Sequence, residues 1–212
     1  MSSPLAITIK PDKDMVANYR RIAETDGKVK QFHKAISAAI NRTLASMKTQ
    51  AGREITQRFV IKKNDFTKEM HMTRATAAVP GGELLLKGPN IEAVKFKVKP
   101  DEPQSNRRQV VEQEDGTGKL EAPELPPITI QYKKSGGGEA PGKFVAVMGS
   151  GHKGVFGRES TKRLPIHQLS GPSVVGMLEV GGGEASQAIQ QTAEETLHKR
   201  IEQEMKWFLG DK

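Results

Sequence analysis

The chain of 212 residues carries a formal net charge of +8, is 35% hydrophobic and only 5% aromatic, and contains no cysteine. That length can bury a real core in one domain, or in one domain with appendages, while the composition leaves a large share to surface, loop or extended arm. Without cysteine there are no disulfides, no thiolate-bound zinc, no iron–sulfur clusters and no cysteine nucleophiles.

The opening residues, "MSSPLAITIKPDKD", lack the charged start, long apolar core and small-residue cleavage site of a signal peptide. No apolar run approaches the ~20 residues that cross a bilayer, so a soluble protein that is not exported is expected. A short strand is predicted at Leu5–Ile9. Pro11 and Asp12 then start a helix with Met15, Val16, Tyr19 and Ile22 on one face, broken at Asp26-Gly27. Val29, Phe32, Ile36, Ile40, Leu44, Met47, Ala51, Ile55 and Phe59 follow at steps of three and four. They describe one amphipathic helix of roughly 45 Å at 1.5 Å per residue, with Gly52 as a kink or a tolerated interruption. A stripe of that length needs a sheet or a neighbouring subunit to cover it.

"KKNDFTKEMHM" is expected as a short helix capped by Asn64 or Asp65, and "RATAAVP", "ELLLKG" and "IEAVKFKVKP" as strands. Pro80-Gly81-Gly82 supplies the turn between the first two strands. In the last, Val94, Phe96 and Val98 alternate with Lys95, Lys97 and Lys99, giving one apolar and one basic face. Residues 100–127 are acidic and proline-containing, and are expected to be an inserted loop or arm within a single α+β domain made of 1–99 and 128–212. "ITIQYKK" and "KFVAVM" are predicted strands separated by a flexible turn, "SGGGEAPG". The last helix carries Ala185, Ile189, Ala193, Leu197, Ile201, Met205 and Phe208 on one face, with Ser186 or the preceding glycines at its start. The order of elements is α+β: a long N-terminal amphipathic helix packed on a mainly antiparallel sheet, with a C-terminal helix.

Charge is unevenly spread. Residues 1–99 hold 19 Lys/Arg against 9 Asp/Glu (+10), 100–141 hold 5 against 8 (−3), and 142–212 hold 9 against 8 (+1). A basic half suits a polyanion or an acidic protein, and it is equally what a solvated lysine-rich helix surface looks like. Few aromatic rings remain off the apolar faces for bases to stack on, so contact with DNA would track phosphates without reading sequence.

Gly149, Gly151 and Gly154 match G-x-G-x-x-G after an apolar run, the pattern of a dinucleotide loop. Such a loop needs a helix to begin at its last glycine, so that the amides there face the pyrophosphate. Here Gly154 runs into "VFGR", Gly157 follows at once, and Pro165 ends any long helix. A hairpin between "KFVAVM" and "GVF" is expected instead. The five histidines, His33, His71, His152, His167 and His198, show no metal-binding spacing, and Ser150 beside His152 does not make a triad. No catalytic residue, metal or cofactor is predicted.

The block "GHKGVFGRESTKRLPIHQLSGPSVVGML" reads as a glycine–histidine turn, G-V-F-x-R, a gap, then L-P-I-x-x-L-x-G-P-S-V-x-x-M-L. It resembles the minor tail protein Z family of tailed phages and prophages, tail-completion proteins of the lambda type. "AAINRTLASMKTQAGREI" looks like that family's long N-terminal helix, and only 100–127 falls outside the likeness. The resemblance implies a structural virion protein with no catalytic residues, acting at the neck, where a finished tail joins the head. Its copies would pack laterally into a ring, commonly six-fold, against tail terminator, tail tube or head–tail connector proteins, after assembly in the host cytoplasm. The motif residues carried over are Gly151, His152, Gly154, Phe156, Arg158, Leu164, Pro165, Ile166, Gly171, Pro172 and Ser173. Arg158, Lys162 and Arg163 are the expected interface contacts, and Lys95, Lys97 and Lys99 the residues that would face DNA in the channel. Loops 100–127 and 133–142 are expected to reach adjacent rings. A basic nucleic-acid-binding protein with an incidental likeness is the alternative from another class, to be recognised by salt-sensitive binding to DNA of any sequence.

Overall fold

Leu5–Ile9 alternates between half-buried or exposed and fully buried residues and forms β1, as its sequence predicts. Asp12 caps α1 (Lys13–Thr25) by accepting from the Met15 amide at 2.8 Å, a contact of about 1 kcal/mol. The structure is a computed structural model that describes residues 3–103, 109–112, 118–121, 126–159 and 164–209. It divides into two compact units. One comprises Met1–Gln57, Lys63–Pro89 and Pro172–Lys212, and the other comprises Arg58–Lys62 and Asn90–Gly171.

In the first unit, the predicted long helix is α2 (Val29–Arg58), continuous through a buried Gly52. Phe32, Ile36, Ile40, Leu44, Met47 and Ile55 are all at most 1% exposed, and each contributes roughly 1.5–3 kcal/mol of burial. Ile40 and Leu44 pack on a three-stranded antiparallel sheet of order β1-β3-β2, where β2 is Met70–Thr73 and β3 is Gly82–Leu86. Gly82 allows this close approach, because a Cβ there would stand 2.5 Å from Leu44 Cδ1 and 3.1 Å from Ile40 Cγ2. α3 (Val174–Glu179) and α4 (Glu184–Leu209) complete the unit. The predicted stripe of α4 is buried from Ala185 to Met205, and the side chain of Phe208 lies outside the described residues.

Two local expectations fail here. Residues 63–72 form two 3-10 turns, Lys63–Asp65 and Thr67–Glu69, and then enter β2, rather than making one helix. Phe66, fully buried between the turns, anchors them, and the Thr67 hydroxyl donates to the Lys63 carbonyl at 2.6 Å. "RATAAVP" is not a strand, because the Asn41 side chain takes the place of a strand partner. Its amide donates to the Ala75 carbonyl at 3.0 Å and its carbonyl accepts from the Ala75 amide at 2.9 Å.

The second unit holds two three-stranded antiparallel sheets. One has the order β4-β7-β8, with β4 at Lys97–Lys99, β7 at Ile128–Lys133 and β8 at Gly136–Ala140. The other has the order β11-β10-β9, with β9 at Lys143–Val147, β10 at Lys153–Arg158 and β11 at Ile166–Gln168. Ala93, Val98, Ile128, Ile130, Val145 and Val155 form their common core. Of the expected strand at 91–100 only the second half is one, since Ala93–Lys95 is a 3-10 turn. The alternation still holds: Phe96 and Val98 are buried, while Lys95, Lys97 and Lys99 are exposed. "SGGGEAPG" is not simply a flexible turn, because Gly136–Ala140 pairs with β7 as β8. Within 100–127 a two-stranded ribbon is described, β5 (Gln109–Glu112) paired with β6 (Gly118–Glu121).

Candidate functional site

The glycine pattern that raised a nucleotide loop is the turn of a hairpin. Gly151 takes a positive φ of 82° and donates its amide to the Met148 carbonyl at 2.8 Å, while the Met148 amide donates to the His152 carbonyl at the same distance. Gly154 lies inside β10, opposite Ala146, with no helix starting there to aim amides at a phosphate. Among the described residues no three His, Cys, Asp or Glu side chains come together in a way that could hold a metal ion.

Gly154, Phe156 and Arg158 occupy alternate positions and therefore line one face of β10, with His152, just before the strand, against Phe156. A Cβ on Gly154 would lie 2.9 Å from Phe156 Cζ, so the missing side chain is what lets the Phe156 ring lie back along the sheet. Phe156 is 5% exposed and pairs with Phe144 across the ladder, their ring centroids 6.2 Å apart. The Arg158 guanidinium sits 4.6 Å above the Phe144 ring. At the other end, His152 meets Phe156 edge-on at 6.5 Å, and its Nε2 lies 3.6 Å from Glu92 Oε1.

Past the gap, Ile166 opens β11 opposite Arg158, and Leu164 is 65% exposed beside an exposed Pro165. Lys143 and His167 reach over Gly157 from the two flanking strands. Gly171 closes the second unit's part of the motif. Its amide donates to the Ile91 carbonyl at 2.7 Å, and a Cβ there would stand 2.6 Å from the Phe96 ring and 2.7 Å from the Tyr132 ring. Burial raises the Tyr132 phenol above its ordinary pKa. In the first unit, half-buried Pro172 precedes Ser173, which is 2% exposed and caps α3 by accepting from the Gly176 amide at 3.1 Å. Val174, Val175, Met177 and Leu178 behind it are all buried.

The family described as prophage minor tail protein Z (GPZ) matches residues 27–210 of this chain. The chain belongs to that family. It is a structural protein of a phage tail. No curated protein and no solved structure matches it. Among the described residues no helix is long and apolar enough to cross a membrane.

Seen as a family motif, the block divides by physical role. Gly151, Gly154, Phe156, Gly171 and Ser173 shape turns, packing and a cap, whereas Arg158, Leu164 and Pro165 remain at the surface. Of the predicted interface contacts, Arg158 is exposed, and Lys162 and Arg163 lie outside the described residues. Lys97 and Lys99 line a shallow hollow of about 340 Å³ on the open face of the β4-β7-β8 sheet, together with Thr129, Gln131 and Glu139. Reading the sequence alone did not find Phe144, Glu92 or Tyr132. Phe144 could have been found, since a turn between Met148 and His152 places it opposite Phe156. Nothing local marks Glu92 or Tyr132, which meet the motif only through the fold.

Proposed function

We propose that this tail protein completes the top of the tail and takes part in head–tail joining, as a ring of identical subunits at the neck of the virion. Its neighbours are tail terminator, tail tube or head–tail connector proteins, and assembly takes place in the host cytoplasm. The observation carrying this reading is the motif face of β10, where aromatic packing holds an exposed arginine at a fixed place opposite half-buried Ile166. A pre-positioned cation next to an apolar side chain is a docking element, because little side-chain freedom is lost when a partner covers it. The lysines of β4, held on one open sheet face, are the residues that face DNA in the channel and contact phosphates without reading bases.

Locating the chain in intact particles by cryo-electron microscopy tests the placement: density at the head–tail junction is expected, and density confined to the tail tip or shaft would refute it. Arg158→Glu should leave the melting temperature nearly unchanged while lowering the yield of joined particles at least tenfold. Lys95→Glu, Lys97→Glu and Lys99→Glu together should slow DNA ejection from otherwise normal particles. Unchanged infectivity and DNA passage would remove the channel assignment.

A further inference from the structure

A strand at the border of a sheet presents unpaired amides and carbonyls, and proteins guard such borders with charge, proline, shortness or a covering helix. Two borders, β1 and β4, are guarded in one of these ways. Along β1, the Gln190 side chain of α4 donates to the Thr8 carbonyl at 3.2 Å. β4 has three residues, two of them exposed lysines, and runs into Pro100. β8 is different. It has five residues, four of them exposed, and the three glycines Gly136, Gly137 and Gly138 carry no side chain at all. A Cβ on Gly136 or Gly138 would meet nothing within 4 Å, and among the described residues no strand pairs with the outer side of β8.

The ribbon β5–β6 has the complementary deficit. Two four-residue strands paired only with each other are marginal in water, and among the described residues no third strand joins them. The charges are complementary as well. Residues 100–127 hold seven Asp/Glu against Arg107, Arg108 and Lys119, while Lys133 and Lys134 flank β8 against Glu139. Among the described residues, the ribbon and the β8 border of one chain do not pair.

We propose that the acidic β5–β6 ribbon of one copy adds to the glycine border of β8 in the next copy, extending the β4-β7-β8 sheet across the subunit boundary. Backbone hydrogen bonds supply the contact and the opposed charges choose the orientation. The contact is head-to-tail: each copy donates a ribbon and accepts one, which generates a ring where the rotation closes. The inference rests on the self-assembly part of the function proposed above, and its test separates the two.

Two otherwise full-length variants are needed. In one, residues 109–121 are replaced by a Gly/Ser linker of equal length; the other carries Gly136→Pro and Gly138→Pro. Sedimentation velocity should show oligomers for the wild-type protein, monomers for each variant alone, and 1:1 heterodimers when the two are mixed, since each retains the half that the other lacks. As a check independent of the proline variant's folding, the cysteine-free chain accepts single cysteines. Val111→Cys mixed with Gly138→Cys should give a disulfide-linked dimer on oxidation, and Val111→Cys mixed with Lys13→Cys should not. If the ribbon-deleted variant assembled like wild type, or the Val111/Gly138 pair failed to cross-link, strand addition would be refuted while self-assembly stood. A wild-type chain that stayed monomeric throughout would overturn both.

Discussion

Gly171→Ala is the sharpest test of how the motif is built. One methyl group placed there would lie 2.6 Å from Phe96 Cε2 and 2.7 Å from Tyr132 Cε1, about 1 Å inside ordinary carbon–carbon contact. Neither ring has an easy retreat: Phe96 is 6% exposed, and the two rings hold each other in an edge-to-face pair at 5.0 Å. The backbone cannot back away either, because the Gly171 amide is bonded to the Ile91 carbonyl. Overpacking of this kind costs about 1–3 kcal/mol, which for a chain of this size lowers the melting temperature by roughly 2–12 °C. Gly149→Ala is the control, since a Cβ there meets nothing within 4 Å and the backbone is not left-handed; its effect should stay within about 0.5 kcal/mol. Thermal and urea unfolding followed by circular dichroism measure both. Phe96→Leu should cost stability in the wild-type background and cost less, or nothing, beside Gly171→Ala, a coupling that a double-mutant cycle isolates. If Gly171→Ala unfolded together with Gly149→Ala, the close approach would not be what requires glycine at 171, and the packing argument would fail.

Ser173→Ala removes the cap of α3 and should cost about 1 kcal/mol in urea unfolding, with Ser173→Thr recovering much of it. For Tyr132 the sign follows from the raised pKa: above the ordinary phenol value of 10.0 the unfolded chain has already lost a proton that the folded chain still holds. Stability from this residue is therefore complete below that pH and is lost as pH rises through the folded-state pKa. Tyr132→Phe should flatten that alkaline decline, and a decline unchanged in the variant would assign it to another group.

The long helices were legible because each buries one continuous stripe, and burial at every third or fourth residue survives whatever the neighbours are. Short elements were legible only where their partners are local. β9 and β10 are joined by a tight turn, so their pairing could be read, and with it the failure of the nucleotide reading. The segment at 74–80 reads as a strand, yet both backbone groups of Ala75 are taken by Asn41, more than thirty residues earlier, which no window of sequence displays. Residues 136–140 show the opposite error. Three glycines argue for a loop on propensity alone, but pairing with β7 makes a strand of them, because a sheet needs backbone groups rather than side chains. On α4, Glu204 and Arg200 lie off the apolar stripe, where the sequence shows no partner for them. They in fact reach α2, through an ion pair with Arg42 and a hydrogen bond to Ser46.

Three glycines of the block, Gly154, Gly157 and Gly171, share one physical use that the spacing disguises, while Gly151 serves the turn. At Gly154 the ring of Phe156 covers the backbone, at Gly157 the ends of Lys143 and His167 do, and at Gly171 the rings of Phe96 and Tyr132 do. In each case the absent side chain is a seat for a neighbour's, so these glycines fix the positions of other residues. Arg158 depends on that arrangement at one remove: it stacks on Phe144, Phe144 lies against Phe156, and Phe156 lies flat over Gly154. As the assembly contact proposed above, Arg158 would have its position set by the core beneath it. On that proposal, substitutions at Gly154 or Phe156 should lower the yield of joined particles by displacing Arg158.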